Sequence, residues 1–243
     1  CALLHSRAHL AFRPFRFSIR PISIEWGRQM ARKARLTREL VDRLPHKVED
    51  QGPITWSVDD SHYPRTTAEL IAEMPADGKL WVFAIGSLIW NPRMPVAETR
   101  PAIVRGWRRS FCLGPDERYR GNPAAPGLML SLVRGGQARG VALRMAADDL
   151  ACSLEALLRK EPPLKPSWVR AKTPEGPISA IAFTLPLDHA RCVEGLCETE
   201  VADRLACAVG TIGSMADYLL NTVSHLAEAG IRDRYLSRME ALV

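Results

Sequence analysis

The sequence has 243 residues, 47% hydrophobic and 25% charged, enough chain for one full core plus an appendage. No apolar stretch reaches the length of a membrane-spanning helix, so a membrane protein of that kind is excluded. The formal charge of +6 is unevenly placed: residues 1–47 hold eleven lysines and arginines against three acids, giving +8 there and −2 in the remainder, so the main body is not a basic nucleic-acid-binding surface.

The chain begins at Cys1 without an initiator methionine, and residues 7–20 carry four arginines and no acid, a composition similar to an organelle transit peptide. Met30, followed by Ala-Arg-Lys-Ala-Arg-Leu, reads as a start, and residues 1–29 are expected to be an extension or a processed segment. Residues 36–44 form a short helix with Leu40, Val41 and Leu44 on one face. Residues 45–65, polar and carrying Pro45, Gly52, Pro53 and Pro64, read as a linker.

Strands begin at Leu80. Residues 80–85 are apolar, β-branched and aromatic, and Gly86 and Ser87 interrupt the run. Such a glycine marks a bulge, a kinked core strand, or a close approach by another group. Without a Cβ, Gly86 can take positive φ, and main-chain N–H groups around Ser87 and Leu88, freed from a ladder, can cup an anion. Residues 102–112 are a second strand, bulged at Gly106. Residues 115–126 are a surface loop. Residues 127–133 and 139–145 read as a hairpin across Gly135-Gly136. Residues 167–172 and 178–185 pair across the Pro-Glu-Gly-Pro turn at 174–177. Six strands, mostly joined as hairpins, give an α+β fold: a small mixed, mostly antiparallel barrel with flanking helices.

Between the strand pairs, Asp148 or Asp149 caps a helix whose apolar stripe is Leu150, Leu154, Leu157 and Leu158. Glu161 follows Leu150 by eleven residues, which at about 100° per residue returns it to within about 20° of the stripe. Pro162 and Pro163 stop the helix. A carboxylate held on an apolar face has its pKa raised toward the range useful for proton transfer; the other reading is a frayed end with Glu161 in water. Ser214 caps a later helix with Asp217 at its third position, and Met215, Tyr218, Leu219, Thr222, Val223 and Leu226 form its stripe up to the stop at Gly230. A last short helix starts near Asp233. There is no G-x-S-x-G nucleophile elbow and no glycine fingerprint for a nucleotide. The six cysteines form no C-x-x-C pair and have no histidine at zinc spacing, which argues against a structural metal and for a reducing, cytoplasmic setting.

Several of these stretches together resemble one family. The run Phe-Ala-Ile-Gly-Ser-Leu-Ile-Trp at 83–90 is similar to the Tyr-Gly-Ser-Leu signature of ChaC-like γ-glutamylcyclotransferases. The arginine-containing strand at 105–112, the pieces at 126–130 and 135–142, Leu-Leu-Arg-Lys-Glu at 157–161 and the helix at 213–223 resemble the family's segments in order and spacing. The signature tyrosine is Ile85 here, so its hydroxyl is missing. Charge and composition give a basic N-terminal extension and linker over residues 1–77, partly disordered, and the resemblance implies a catalytic domain over 78–243. It implies intramolecular aminolysis of glutathione to 5-oxoproline and cysteinylglycine, with no metal or organic cofactor, no nucleic acid and no membrane. By resemblance Glu161 is the base and acid, and Ile85, Gly86, Ser87 and Leu88 hold the γ-glutamyl head. Arg109 steadies a charged group or forms a structural ion pair, and Tyr218 lines the pocket. Ile85 leaves two alternatives open: a γ-glutamyl-binding protein with weakened turnover, or a cyclotransferase for another γ-glutamyl amine.

Overall fold

The computed structural model describes residues 36–50, 57–146 and 148–243. The expected extension over residues 1–29 lies outside them, as do Gly52 and Pro53 of the expected linker.

The barrel starts with β1, Trp81–Ala84, whose four residues are all buried. Successive side chains on a strand point to opposite faces. Trp81 and Phe83 accordingly enter one buried cluster, and Val82 and Ala84 another. β1 pairs antiparallel with β3 (Gly127–Met145) and parallel with β5 (Gly176–Ala182). β2 (Val96–Asp116) pairs with β3 and with β4 (Ser167–Thr173), and β4 with β5, which closes the barrel in the order β1-β3-β2-β4-β5. The expected small mixed barrel is thus present, with one parallel contact among antiparallel ones. Its interior joins residues from every barrel strand, and Ala102, Ala138, Ala142, Ala171, Ala180 and Ala182 leave room there for Trp81, Phe83 and Trp107. A barrel of so few strands is narrow, so small side chains must alternate with large ones.

One strand assignment is corrected. Residues 127–133 and 139–145 are not the two arms of a hairpin; they are one strand, β3, running antiparallel to β2 from Val96↔Met145 to Asp116↔Gly127. Gly135 and Gly136 do take positive φ, 105° and 68°, but Gly106 opposite them does so too, at 80°. The register steps there from Arg105↔Gln137 to Trp107↔Arg134, so the glycines form a bulge at which both strands bend instead of reversing. The Arg134 guanidinium lies 4.0 Å over the Trp107 ring at this bend. The reversal falls in the loop at 117–126. Six expected strands therefore become five in the barrel, beside a two-residue pair, β6 (Val209–Gly210) and β7 (Gly213–Ser214).

Helices cover the other face of the sheet. α1 (Arg38–Val41) is capped by Thr37 and buries Val41, and Arg38 reaches Asp217 at 2.6 Å. α2 (His62–Ala72) corrects the end of the expected linker: Pro64 sits in its first turn, where a missing N–H costs nothing, and Leu70 is fully buried. α3 (Leu150–Leu158) is capped by Asp149, which accepts from the Cys152 N–H at 2.9 Å, and its stripe buries Leu154, Leu157 and Leu158. α4 (Glu198–Cys207), not anticipated, buries Val201, Ala202 and Leu205. α5 (Met215–Glu228) has the expected Ser214 cap, the Asp217 N–H donating to its hydroxyl at 3.1 Å, and ends at Gly230 with φ 71°. α6 (Arg234–Leu242) is capped by Asp233. Among the described residues no helix is long and apolar enough to cross a membrane.

Candidate active site

The chain leaves the barrel at the end of β1 and tightens at once into a 3₁₀ turn, Ser87–Ile89, closed by Ile89 N–H donating to the Gly86 carbonyl at 2.9 Å. The first N–H groups of such a turn have no partner within it. Gly86 has φ −146°, so positive φ is not what requires glycine there. The reason is close approach: a Cβ on Gly86 would fall on the Tyr218 hydroxyl, well inside contact distance. The Ser87 N–H donates to that hydroxyl, which pins the turn to α5. Tyr218 is buried between Trp90, 5.6 Å away edge-on, and Phe111, at 6.3 Å, with the Arg120 guanidinium 5.4 Å from its ring. Burial, and then the neighbouring Glu161 charge, hold the phenol above its usual range, so it stays neutral and its proton is available to donate.

Glu161 comes to the same place from α3 by a different route from the one its spacing implied. The helix ends at Leu158, with Arg159 as C-cap, so Glu161 is not on the helical stripe. The turn that follows, closed by Leu164 N–H to the Pro162 carbonyl at 2.6 Å, brings Glu161, Pro162 and Leu164 together onto one pocket. The Glu161 side chain is 13% exposed. Burial pushes its pKa up to about 7, opposed in part by the Arg93 guanidinium, whose Nε lies 3.9 Å away.

These groups surround a cavity of about 60 Å³. Ile85, Gly86, Ser87, Leu88, Glu161 and Tyr218 all line it, with Phe83, Leu130 and Phe183 as apolar walls. Ser131 lines it as well; its hydroxyl is buried and has no hydrogen-bond partner among the described residues. A serine inside an apolar strand gives no sequence signal, so Ser131 was not anticipated. Arg109 is not in the lining. Its Nε donates to the Ile85 carbonyl at 3.0 Å, one terminal nitrogen to the Arg139 carbonyl at 2.7 Å, and the other to Asp233 at the start of α6. Its side chain is buried behind the pocket wall and fixes the end of β1. His225 also stays outside, its ring stacked on Trp90 and its Nδ1 donating to the Asn221 carbonyl at 2.8 Å. Among the described residues no group of three or more His, Cys, Asp or Glu could hold a metal.

What this arrangement can do is move a proton at neutral pH in a site sheltered from water. A carboxylate with a pKa near 7 can take one up and return it, and a turn of N–H groups with a neutral phenol can stabilise negative charge. That defines a small-molecule acid–base site on a small mixed barrel. The chain belongs to the ChaC-like protein family, whose sequence profile matches residues 80–243. It is 30% identical over 184 residues to the glutathione-specific γ-glutamylcyclotransferase of Escherichia coli K12, covering 74% of this chain and 78% of that one. It is 27% identical over 159 residues to glutathione-specific γ-glutamylcyclotransferase 1 of mouse, covering 62% and 71%. The fold is similar to the crystal structure of a yeast γ-glutamylcyclotransferase specific to glutathione, with a TM-score of 0.59 at 20% identity, over 68% of this chain and 97% of that one.

Proposed function

We propose that this protein cyclises the γ-glutamyl group of glutathione, releasing 5-oxoproline and cysteinylglycine. The observation that carries the reading is the buried Glu161 carboxylate, pushed up to about 7, beside the turn that follows β1. In this reaction Glu161 takes a proton from the substrate's α-ammonium. The free amine attacks the γ-amide carbonyl and closes a five-membered ring. Glu161 hands that proton to the amide nitrogen, the tetrahedral oxyanion collapses and the C–N bond to cysteine breaks; the second proton, left on the ring nitrogen, passes by way of the Glu161 carboxylate to the departing amine, which leaves as an ammonium. No water is consumed and no electron changes hands, so the chemistry needs no metal or organic cofactor.

The other residues divide between holding and folding the substrate. The N–H groups of Gly86 and Leu88 receive the α-carboxylate or the developing oxyanion. The Tyr218 phenol and the Ser131 hydroxyl, which has no partner among the described residues, offer further donors. The apolar walls bend the γ-glutamyl chain back on itself, and orientation of this kind carries much of the acceleration. The free cysteines Cys112, Cys152, Cys192, Cys197 and Cys207 support a reducing, cytoplasmic setting. The substrate is the partner in this reading, and no nucleic acid takes part. Incubating the protein with glutathione and following release of cysteinylglycine and 5-oxoproline tests it: stoichiometric appearance of both is expected, and neither product would appear from a protein that only binds γ-glutamyl ligands.

A further inference from the structure

Two features of Arg93 stand out from the rest of the chain. It is the non-glycine residue with positive φ among those described, at 56°, a conformation that L side chains rarely adopt. Its guanidinium makes no hydrogen bond among the described residues; its one ionic neighbour is Glu161, at 3.9 Å, too far for a hydrogen bond. The side chain is 33% exposed against 13% for Glu161, so Arg93 approaches the carboxylate from the solvent side. The Lys160 ammonium donates to the Arg93 main-chain carbonyl at 3.5 Å. The chain thus holds an arginine of strained backbone beside Glu161, outside the residues that line the cavity, with its guanidinium free of hydrogen bonds among the described residues.

The cavity itself, at about 60 Å³, is too small for a tripeptide. A γ-glutamyl head directed at Glu161 leaves the rest of the substrate beyond the lining residues, and Arg93, itself outside that lining, is the guanidinium next to Glu161. We infer that Arg93 is a specificity-determining residue: it exchanges Glu161 for a carboxylate on the leaving amine and so selects γ-glutamyl peptides that end in a free acid over neutral γ-glutamyl amines. This rests on the cyclisation proposed above. The exchange is chemically balanced, because the incoming α-ammonium takes over the contact with Glu161 as the guanidinium turns to the distal carboxylate. An arginine fork matches a carboxylate with two parallel N–H donors, which suits this selection better than a lysine.

The test compares glutathione with its glycyl ethyl ester, which lacks the distal charge, on the parental protein and on Arg93→Gln. The parent is expected to favour the acid by about ten- to a hundredfold in KM, the scale of one charge-assisted hydrogen-bonded pair, with a much smaller difference in kcat. Arg93→Gln is expected to bring that ratio close to one. Arg93→Gly, which suits φ 56° better than any side chain, is expected to fold at least as well as the parent and to lose the same preference. The groups facing the Glu161 carboxylate are Arg93, from the loop after the 3₁₀ turn, and the neutral Tyr218, from α5. Loss of Arg93 is therefore also expected to move the acidic limb of kcat/KM upward in pH for both substrates, which a merely structural role does not predict. Calorimetric binding of acid and ester to Glu161→Gln, with and without Arg93→Gln, separates the two readings. An Arg93-dependent preference for the acid without any turnover in the parent keeps the Arg93 assignment and refutes cyclisation. Equal affinities for acid and ester, or no binding of either, overturn the assignment whatever the turnover.

Discussion

Two concavities of this molecule differ about as much as two can. The pocket beyond β1 has a volume of about 60 Å³ and one carboxylate. The groove between β2 and α6 has about 1040 Å³ and is crowded with charge. Two of its arginines are held by acids: Arg109 is paired with Asp233, and Arg238 grips Glu198 through Nε at 3.0 Å and a terminal nitrogen at 2.7 Å. A paired charge in water keeps its ordinary proton affinity or is held more firmly in its charged form; Glu198 is held below the usual carboxylate range by Arg238. Glu161 has no hydrogen-bonding partner of that kind among the described residues, and burial moves its pKa to about 7. The proposed reaction is accordingly assigned to the small apolar cavity, where desolvation sets the Glu161 carboxylate apart.

The largest expected effect tests that difference directly. Glu161→Gln keeps the shape of the side chain but cannot accept the ammonium proton, and turnover should fall by about 10² to 10⁴. Stability should move the other way. The folded carboxyl has a pKa of about 7 against an ordinary value of 4.5, so folding takes up a proton between those values. The stability that the protonated form contributes is present below about pH 4.5 and is lost as pH rises through about 7. Glu161→Gln should then be more stable than the parent at pH 8, by an amount on the order of 3 kcal/mol, and no more stable at pH 4. Chemical denaturation at both pH values, alongside a product-release assay, checks the pair of effects. Loss of stability with activity per folded molecule preserved would mean that Glu161 is structural. The same titration gives kcat/KM an acidic limb near pH 7, read from rates between pH 5 and 9.

Arg109 should behave in the opposite sense. It lies in the wall between the two concavities, and Arg109→Met strands Asp233 and the carbonyls of Ile85 and Arg139 without their donor. Breaking a buried pair from one side costs about 3–5 kcal/mol, so equilibrium unfolding should show a large loss, with turnover per folded molecule reduced far less than in Glu161→Gln. A full loss of turnover in a well-folded Arg109→Met would return Arg109 to the substrate-binding role. Gly86→Ala comes next. Its Cβ meets the Tyr218 hydroxyl, so kcat/KM should drop by about tenfold or more through displacement of the turn. Tyr218→Phe in the same chain removes the clashing oxygen, and the double variant should lose less than the two single losses multiplied together.

Much of this was legible in the sequence where the cause is local. The apolar run before Gly86, the Asp149 and Ser214 caps, the leucine stripe of α3 and the stop at Gly230 are each written in a few adjacent residues. What was lost depended on partners distant in the chain. Gly135-Gly136 has the chemistry of a turn, and only Gly106 across the ladder makes it a bulge. Pro64 looks like a breaker until α2 is known to begin two residues before it. Glu161 is buried, but not by the helical phase that suggested it; α3 stops at Leu158, and the Pro162 turn does the work that phase was asked to do. Ser131 and Arg93 carry no mark at all, since one is a serine in a strand and the other an arginine after a proline, and what distinguishes them is a missing partner and a backbone angle.

The smallest expected effect belongs to the groove. Arg238 and Glu198 form a two-pronged pair, but their side chains are 54% and 46% exposed, and water solvates each of them whether or not the other is present. Such pairs contribute little, and salt screens what they do contribute. Arg238→Ala, Glu198→Ala and the double variant should therefore leave kcat/KM for glutathione within about twofold of the parent, with any change in unfolding midpoint shrinking as salt is raised. The measurement has force because the groove is by far the larger concavity and looks the better host for a charged tripeptide. Were substrate to pass through it, removing one arginine from its rim would raise KM and make that rise depend on ionic strength. A tenfold, salt-dependent loss in Arg238→Ala would place part of the substrate in the groove and dissolve the contrast between the two concavities. Unchanged kinetics would leave the groove's charges as an exposed ionic surface, with all proton chemistry confined to the cavity that holds Glu161.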